Sequence, residues 1–314
     1  MAASVDIIIV NWNTQGALAA CLQSIEAVPR ETIDLLRVVV VDNNSFDDSL
    51  STIGSPNLPL YIRRNTSNLG FAAGCNQGAQ ESRAEYLLFL NPDTRLTKEA
   101  LQRPICFMNQ PQNNAFGICG IRLLDDHGLP GTCSARFPTP RSMWEEGTGL
   151  HRLAPRLFTD RCQSDVKADV KEVDQVIGAY FLIRQHLFDQ LNGFDERFYV
   201  YFEEVDISLR ARNAGHGSCI LGSVSAYHTG CGSSDQVKDK RLFYFWRSRL
   251  LYARKHFSTA DFLGVLLLTF AVEPIVRILQ ATSSSSMKVV LTTARAYLYL
   301  IRYCLSGSIN GYSR

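Results

Sequence analysis

What this sequence is short of sets its first limits. Among 314 residues there are three Trp and four Met, and the formal net charge is only +2. A charge so small gives no overall attraction to a polyanion, so no nucleic-acid partner is expected. The nine cysteines are Cys21, Cys75, Cys106, Cys119, Cys133, Cys162, Cys219, Cys231 and Cys304. They are odd in number and form no C-x-x-C pair, which sets aside a zinc ribbon and a disulfide scaffold. Several sit in apolar stretches, as small buried hydrophobes do. Reduced thiols in a cytosolic compartment are expected. Residues 1–9 carry no basic start, and Asp6 interrupts their apolar run. No signal peptide is read, and a cytoplasmic location is expected. G-x-G-x-x-G and G-x-x-x-x-G-K-[ST] are both missing, which weakens dinucleotide and P-loop readings. There is no internal repeat.

Long apolar runs are missing too. Phe262 to Val272 is followed by Glu273 and Pro274, and crossing a bilayer takes ~20 apolar residues. An amphipathic segment lying in the membrane interface is expected instead. A helical cap on the main domain and a membrane-crossing helix are the alternatives. Before this run, Phe243, Tyr244, Phe245 and Trp246 interleave with Arg247, Arg249, Arg254 and Lys255. Ser283 to Ser286 reads as a flexible joint before a last amphipathic stretch, Val289 to Tyr303.

What is present is a strand–helix alternation. Val5 to Trp12, Leu36 to Val41, Leu60 to Arg63 and Tyr86 to Leu90 read as strands. Leu18, Cys21, Leu22 and Ile25 have helical spacing, with Thr14 as a possible N-cap. Phe71 to Ser82 reads as a helix, and another is expected after a Thr97 cap. Strands alternating with helices predict an α/β fold with a mostly parallel sheet covered on both faces. Further on, residues 115–135 read as two strands around the turn Asp125-Asp126-His127-Gly128, and residues 140–172 as a loop or lid. A helix is expected from Glu203 to about Asn213, closed by Gly215. A strand is expected within Leu221 to His228.

Ligands of such sheets bind at the carboxyl ends of the strands. The four ends here, Asn11-Trp12-Asn13, Asp42-Asn43-Asn44, Arg64-Asn65 and Asn91-Pro92-Asp93, are all polar. Two readings stay open, because Asn, Asp and Pro also end strands routinely. Gly70, Gly74 and Gly78 recur every four residues, through close helix packing or close approach to a ligand. Asp93 at a strand end could hold a hard divalent cation, and so could His228, whose imidazole favours Mn²⁺ over Mg²⁺. Glu203, Glu204 and Asp206 either meet a helix dipole or supply a general base.

The ordered set of motifs narrows these choices. Val10-Asn11-Trp12-Asn13, Val41 to Ser45, Asn68 to Asn76, Asn91 to Thr94, Gly178 to Arg184, Gly193 to Phe198, Tyr201 to Asp206 and His228 occur in that order. Over residues 5–255 the series resembles family-2 glycosyltransferases, in particular the bacterial rhamnosyltransferase-like branch. The resemblance implies a GT-A fold, with a glycosyltransferase domain over 1–240 and a C-terminal amphipathic helical region over 241–314. Within the domain it implies a nucleotide-sugar half of about 1–125 and an acceptor half of about 126–240. It implies a donor site of Val10, Asn11, Asn13, Asp42, Asn44, Asn68, Gly70, Phe71, Gly74, Asn76 and Asn91, with Asp42 reading a pyrimidine base. Asp93 and His228 match metal ligands for Mn²⁺ or Mg²⁺. Glu204 matches the general base, with Glu203 beside it. Two positions depart from the pattern: Asn91 replaces the first acid of the D-x-D-like element, and Glu204 stands where Asp is common.

The expected activity is inverting transfer from a nucleotide diphosphate sugar, dTDP-L-rhamnose by preference, to a lipid-linked or polysaccharide acceptor. The protein is expected at the inner face of the cell membrane as a peripheral protein, with homo-oligomers possible. Another donor such as a UDP-hexose is an alternative. A nucleotidyltransferase of the same fold is a second alternative, although the Gly-rich basic loop it needs after the first strand is missing. A non-catalytic membrane-associated protein is a third.

Overall fold

The computed structural model describes residues 2–150, 162–164, 166, 168–230, 238–283 and 287–306. The chain divides into two compact units. The first comprises Met1–Phe137, Cys162–Glu196 and Glu203–Ser233; the second comprises Pro138–Arg161, Arg197–Phe202 and Ser234–Arg314.

The first unit is built on β1 (Ala3–Asn11), β2 (Ile33–Asp42), β3 (Leu60–Arg64) and β4 (Tyr86–Leu90). These lie in the order β3-β2-β1-β4, all parallel. The inner three are Val-, Ile- and Leu-rich because both faces are covered. The covering helices include α1 (Ala17–Ala27) and α2 (Phe71–Ala79). The sheet continues through β5 (Thr94–Leu96), β6 (Phe116–Leu124), β9 (Val170–Val173), β11 (Tyr180–Arg184) and β12 (Gly217–His228). β11 runs antiparallel to β4, with Tyr180 opposite Leu90, so its beginning lies at the carboxyl end of β4. The last residues of β12 pair with β5, with His228 opposite Thr94. A small second sheet joins β7 (Ser134–Ala135), β8 (Cys162–Gln163) and β10 (Gln175–Val176). The helices α3 (Gln102–Met108), α5 (Gln185–Gln190) and α6 (Glu203–Asn213) complete the unit.

Several expectations change in detail. Thr14 does not cap α1, whose N-cap is Gly16 without a side-chain bond; its hydroxyl donates to Asn11 Oδ1 instead. The Thr97 hydroxyl donates to the Ser225 carbonyl, and α3 starts only at Gln102. α2 stops at Ala79, ahead of a left-handed Glu81 (φ +60°). Residues 115–135 give one long strand and a short return rather than a full hairpin. The turn is as read: Asp125 accepts from His127 N and Leu129 N, and Gly128 is left-handed. Helix α6 spans Glu203–Asn213 and is followed by Gly215 at φ +88°.

The four-residue glycine spacing in α2 comes from packing. A Cβ on Gly74 would stand 2.9 Å from Val10 Cγ1, and one on Gly78 would stand 2.4 Å from Ile8 Cγ2. The helix backbone therefore lies directly on β1. Gly78→Ala is expected to cost about 1–3 kcal/mol through overpacking, read as a lowered urea midpoint.

The second unit is helical. It holds α4 (Pro140–Thr148), α7 (Lys238–His256), α8 (Thr259–Leu267), a π turn (Leu268–Val272), α9 (Glu273–Ser283) and α10 (Met287–Leu305). The loop expected over 140–172 thus begins as a helix. Its start is a capping box, with Thr139 accepting from Ser142 N and Ser142 accepting from Thr139 N. Residues 151–161 of that expected lid, and 284–286 of the expected serine joint, lie outside the described residues.

Glu273 and Pro274 do not end the apolar helix, contrary to expectation. The chain stays helical from Thr259 to Gln280, long and apolar enough by length and composition to cross a membrane. Pro274 lacks an N–H, and the π turn just before it adjusts the hydrogen-bond ladder. Glu273 is buried and satisfied. It accepts from Trp246 Nε1 (3.0 Å), Arg249 Nη2 (2.6 Å) and Arg277 Nε (2.8 Å). Arg249 also donates to Thr269 Oγ1 (2.7 Å).

Candidate active site

The carboxyl ends of β1 and β2 are wired to each other. Asn11 is fully buried, and its amide nitrogen donates to Asp42 Oδ1 (2.8 Å), Ser49 Oγ (2.9 Å) and Ser45 Oγ (3.1 Å). Ser45 Oγ in turn donates to Asp42 Oδ1 (2.6 Å). Asn13, left-handed at φ +52°, accepts from Phe46 N (2.9 Å). One strand further, Asn43 Nδ2 donates to the Gly70 carbonyl (3.0 Å) and Asn43 Oδ1 accepts from Asn65 Nδ2 (2.9 Å). Gly70 sits at φ +91°, a conformation that favours glycine, with its N–H donated to Asn68 Oδ1 (2.9 Å). The ends form one rigid floor, on which Asn44 is exposed.

This floor corrects parts of the expected donor site. The Asn11 side chain is used up in holding the loop, so it does not line an open pocket. Val10 and Gly74 pack on each other inside the fold and are closed to a ligand. Asn76 clamps the segment before α6: its Nδ2 donates to the Phe194 carbonyl (2.8 Å) and its Oδ1 accepts from Phe194 N (2.9 Å). Phe71 is half-buried against the core. Ser45, Ser49 and Asn43 are not among the expected donor-site residues. Ser45 and Asn43 lie within the motif Val41 to Ser45, but nothing marks Ser49, whose role depends on how the loop folds back.

Asn91, Asp93 and His228 do come together, through the pairing of β5 with the end of β12. His228 Nε2 stands 3.4 Å from Asp93 Oδ1 and 3.4 Å from Asn91 Nδ2. Asp93 and His228 are both partly open, with 16% and 21% of their side chains exposed. A carboxylate oxygen and an imidazole nitrogen facing one small space suit a divalent cation such as Mn²⁺. Among the described residues no group of three or more His, Cys, Asp or Glu is arranged so that it could hold a metal ion. Asp93 and His228 are the residues that would hold such an ion. Cys21 lies near Asp93, but burial first and the Asp93 charge second push its thiol pKa up. It remains a protonated thiol rather than a ligand.

Glu204 reaches the same end of the sheet by way of β11. The Ala179 carbonyl, just before β11, accepts from Asn91 N (3.1 Å) and Thr94 Oγ1 (3.2 Å). A Cβ on the neighbouring Gly178 would stand 4.0 Å from Glu204 Cβ. The Gly178-Ala179 step thus links the Asn91 turn to the first turn of α6. Glu203 points inward and is buried. Its pKa is raised well above the carboxylate range, by burial first and by Glu204 second. Asp206 is structural: it pairs with Arg210 Nε (2.7 Å), and Arg210 donates to the carbonyls of Leu191 (2.6 Å) and Gly193 (2.8 Å). Tyr201 and Phe202, directly before α6, have φ of +68° and +70°. Such backbone costs about 1–3 kcal/mol per bulky residue and clusters at functional sites.

Both the sequence and the fold have known relatives. Residues 6–132 match the sequence family described as glycosyl transferase family 2. Over that stretch, less than half of the chain, the sequence is similar to family-2 glycosyltransferases. The low-salt glycan biosynthesis hexosyltransferase Agl10 of Haloferax volcanii is 27% identical over 259 residues, 80% of this chain and 76% of that protein. An N-acetylglucosaminyl-diphospho-decaprenol L-rhamnosyltransferase of Mycobacterium tuberculosis is 30% identical over 113 residues. That match spans 36% of this chain and a third (33%) of the relative. Among solved structures, the mannosyltransferase PcManGT from Pyrobaculum calidifontis has a TM-score of 0.54 at 15% identity, covering 98% of this chain and 84% of that one. S. aureus TarS has a TM-score of 0.51 at 16% identity, covering 95% and 78%.

The chain thus has a GT-A fold, and its relatives support sugar transfer in glycan synthesis. The likeness to the rhamnosyltransferase branch does not extend over the full length. A relative matched over most of the chain is a hexosyltransferase.

Proposed function

We propose that the chain transfers a sugar from a nucleotide diphosphate donor to an acceptor hydroxyl with inversion. The observation that carries this reading is the convergence of Asp93, His228 and Asn91, with Glu204 reached through Gly178-Ala179, at the carboxyl end of the sheet. That end is where α/β sheets bind ligands. The donor's nucleoside would rest on the floor made by Asn13, Asp42 and Asn44, and its diphosphate would run past Gly70 and Asn68 towards Asp93. Glu204 is the general base: it takes the proton of the acceptor hydroxyl as that oxygen attacks the anomeric carbon. The attack comes from the side opposite the leaving diphosphate, so the configuration inverts. A divalent cation held by Asp93 and His228 would neutralise charge on the departing diphosphate.

The favoured donor is dTDP-L-rhamnose, with a UDP-hexose beside it, because the relatives act on different sugars. The acceptor is a lipid-linked or growing glycan, met at the cytoplasmic face of a membrane. A nucleotidyltransferase is the reading to separate from this one, and pyrophosphate release from a nucleoside triphosphate would establish it.

Donor binding tests the proposal. Thermal unfolding would be followed with dTDP-rhamnose, UDP-glucose, UDP-galactose and GDP-mannose, each with and without Mn²⁺. A donor at 100 times its Kd stabilises by about 2.7 kcal/mol. One donor is expected to stabilise, more strongly with Mn²⁺, and Asp93→Ala is expected to remove the metal increment. No stabilisation by any of the four donors would count against this donor class. A retained anomeric configuration in the product would overturn the single-displacement mechanism.

A further inference from the structure

The chain's small net charge hides a strong division. Residues 241–314 hold ten Lys and Arg against two Asp and Glu, a net +8. Residues 1–240 hold 22 against 28, a net −6. The basic part coincides with the apolar helices of the second unit.

Those helices leave a large apolar face uncovered. Leu263, Leu267, Ile275 and Leu279 are all more than half exposed, at 57, 56, 60 and 64%. They recur in steps of four or eight, together with exposed Ala271. On a regular α-helix each four-residue step advances about 40° around the axis. The wider π turn at Leu268–Val272 takes back part of that drift, so the row stays on one side. The opposite side carries Val265, Thr269 and Glu273, which are buried. On α10 the exposed positions include Leu291, Ala294, Arg295, Leu298, Ile301, Arg302 and Leu305, one side of a helix in steps of three and four. Leucine and arginine alternating along one face give an apolar floor from which long cationic side chains reach to an anionic layer.

We propose that the exposed faces of α8–α9 and α10 dock in the plane of an anionic lipid surface. The apolar rows enter the boundary of the acyl chains, and Arg295 and Arg302 meet the headgroups. Charge selects this occupant over a second copy of the chain, which would set +8 against +8. The inward position of Glu273 and Arg249 selects lying over crossing. Their ion pair stays inside the protein while only one side of the helix faces lipid. Placed this way, the protein is held at a surface whatever donor it uses.

Sedimentation of the full chain with large unilamellar vesicles tests this. Vesicles of phosphatidylcholine with 30 mol% phosphatidylglycerol would be compared with phosphatidylcholine alone, in 0.1 and 0.5 M NaCl. Binding to the anionic vesicles is expected, with loss at high salt. Each basic residue at an anionic surface contributes on the order of fivefold, so Arg295→Gln/Arg302→Gln is expected to weaken binding about 25-fold. Leu263→Gln/Leu267→Gln/Leu279→Gln is expected to abolish it. These positions are exposed, so circular dichroism and thermal unfolding should match wild type. No binding by the wild type overturns the proposal, as does binding that the leucine variant leaves unchanged. A wild-type oligomer that the leucine variant turns into monomers, with vesicle binding intact, would assign the face to a second copy. Retention on vesicles through an alkaline carbonate wash would make the helix a membrane span and overturn the in-plane placement.

Discussion

Glu204→Gln is expected to lower kcat by about 10²–10⁴ while leaving the fold and donor binding in place, because a general base contributes on that order. At 1.36 kcal/mol per decade this is about 3–5 kcal/mol of transition-state stabilisation. The neighbouring carboxyl provides the contrast. Glu203 is buried, and burial first and Glu204 second raise its pKa well above the carboxylate range, which favours the protonated acid. Glu203→Gln mimics the favoured neutral form with nearly the same shape, so kcat is expected to stay within about tenfold of wild type. Stability should move the other way. An acid whose folded-state pKa lies above its unfolded value contributes most below the unfolded pKa, and the contribution is lost as pH rises towards the folded value. Wild type therefore gives up stability between the usual carboxylate range and that raised value, and Glu203→Gln does not. Urea unfolding at pH 5, 7 and 9 should show the variant increasingly more stable than wild type. If Glu203→Gln abolished turnover and Glu204→Gln did not, the two roles would be exchanged.

How much of this was legible beforehand depended on whether a residue's neighbours lie close in sequence. The parallel strands were readable because runs such as Val38 to Val41 and Tyr86 to Leu90 are apolar throughout, as strands covered on both faces must be. Helix α6 was readable from its acidic start and from Gly215. Asn91, Asp93 and His228 were readable as types, but their meeting depends on the pairing of β5 with β12, which joins positions 134 residues apart at His228 and Thr94. Spacing cannot show that. The same limit explains why Asn11 and Asn76 were expected to face a ligand. An amide at a strand end looks the same whether it holds a loop or a donor, and only the partners Asp42, Ser49 and Phe194 decide. Two charges misled in the same way. Asp6 interrupts the first apolar run and Glu273 the last, and both are buried against arginine: Asp6 against Arg37 (2.6 Å), Glu273 against Arg249 (2.6 Å). A single charge in an apolar stretch reads as a break until its partner is known.

The Glu273 cluster gives the second large expected effect. Glu273→Ala is expected to destabilise the helical unit by about 3–5 kcal/mol, the usual cost of leaving one member of a buried ion pair alone. Glu273 and Arg249 have only 3% and 4% of their side chains exposed, so the abandoned Arg249 could not reach water without repacking. Trp246 donates to Glu273, and its ring lies against that of Tyr297 with centroids 4.1 Å apart and planes tilted by 30°, so its fluorescence lies at the point of change. Because the chain has two units, urea unfolding should be followed by this signal as well as by circular dichroism. Removing both charges should behave differently. Arg249→Met/Glu273→Met trades the pair for apolar groups of similar length and is expected to lie far closer to wild type than Glu273→Ala. Acid gives an independent reading of the cluster. Burial alone would raise the Glu273 pKa, but Arg249 and Arg277 outweigh it and hold the carboxyl below its usual range. A lowered folded-state pKa means a contribution fully present above the unfolded value and lost as pH falls through the folded one. Wild type should therefore lose stability below about pH 4.5, with the carboxylate range as the upper edge of the window. The double variant should lack that part of the loss. If Glu273→Ala unfolded with the wild-type midpoint, the cluster would not be what holds the helix through Pro274, and the π turn alone would have to account for its continuity.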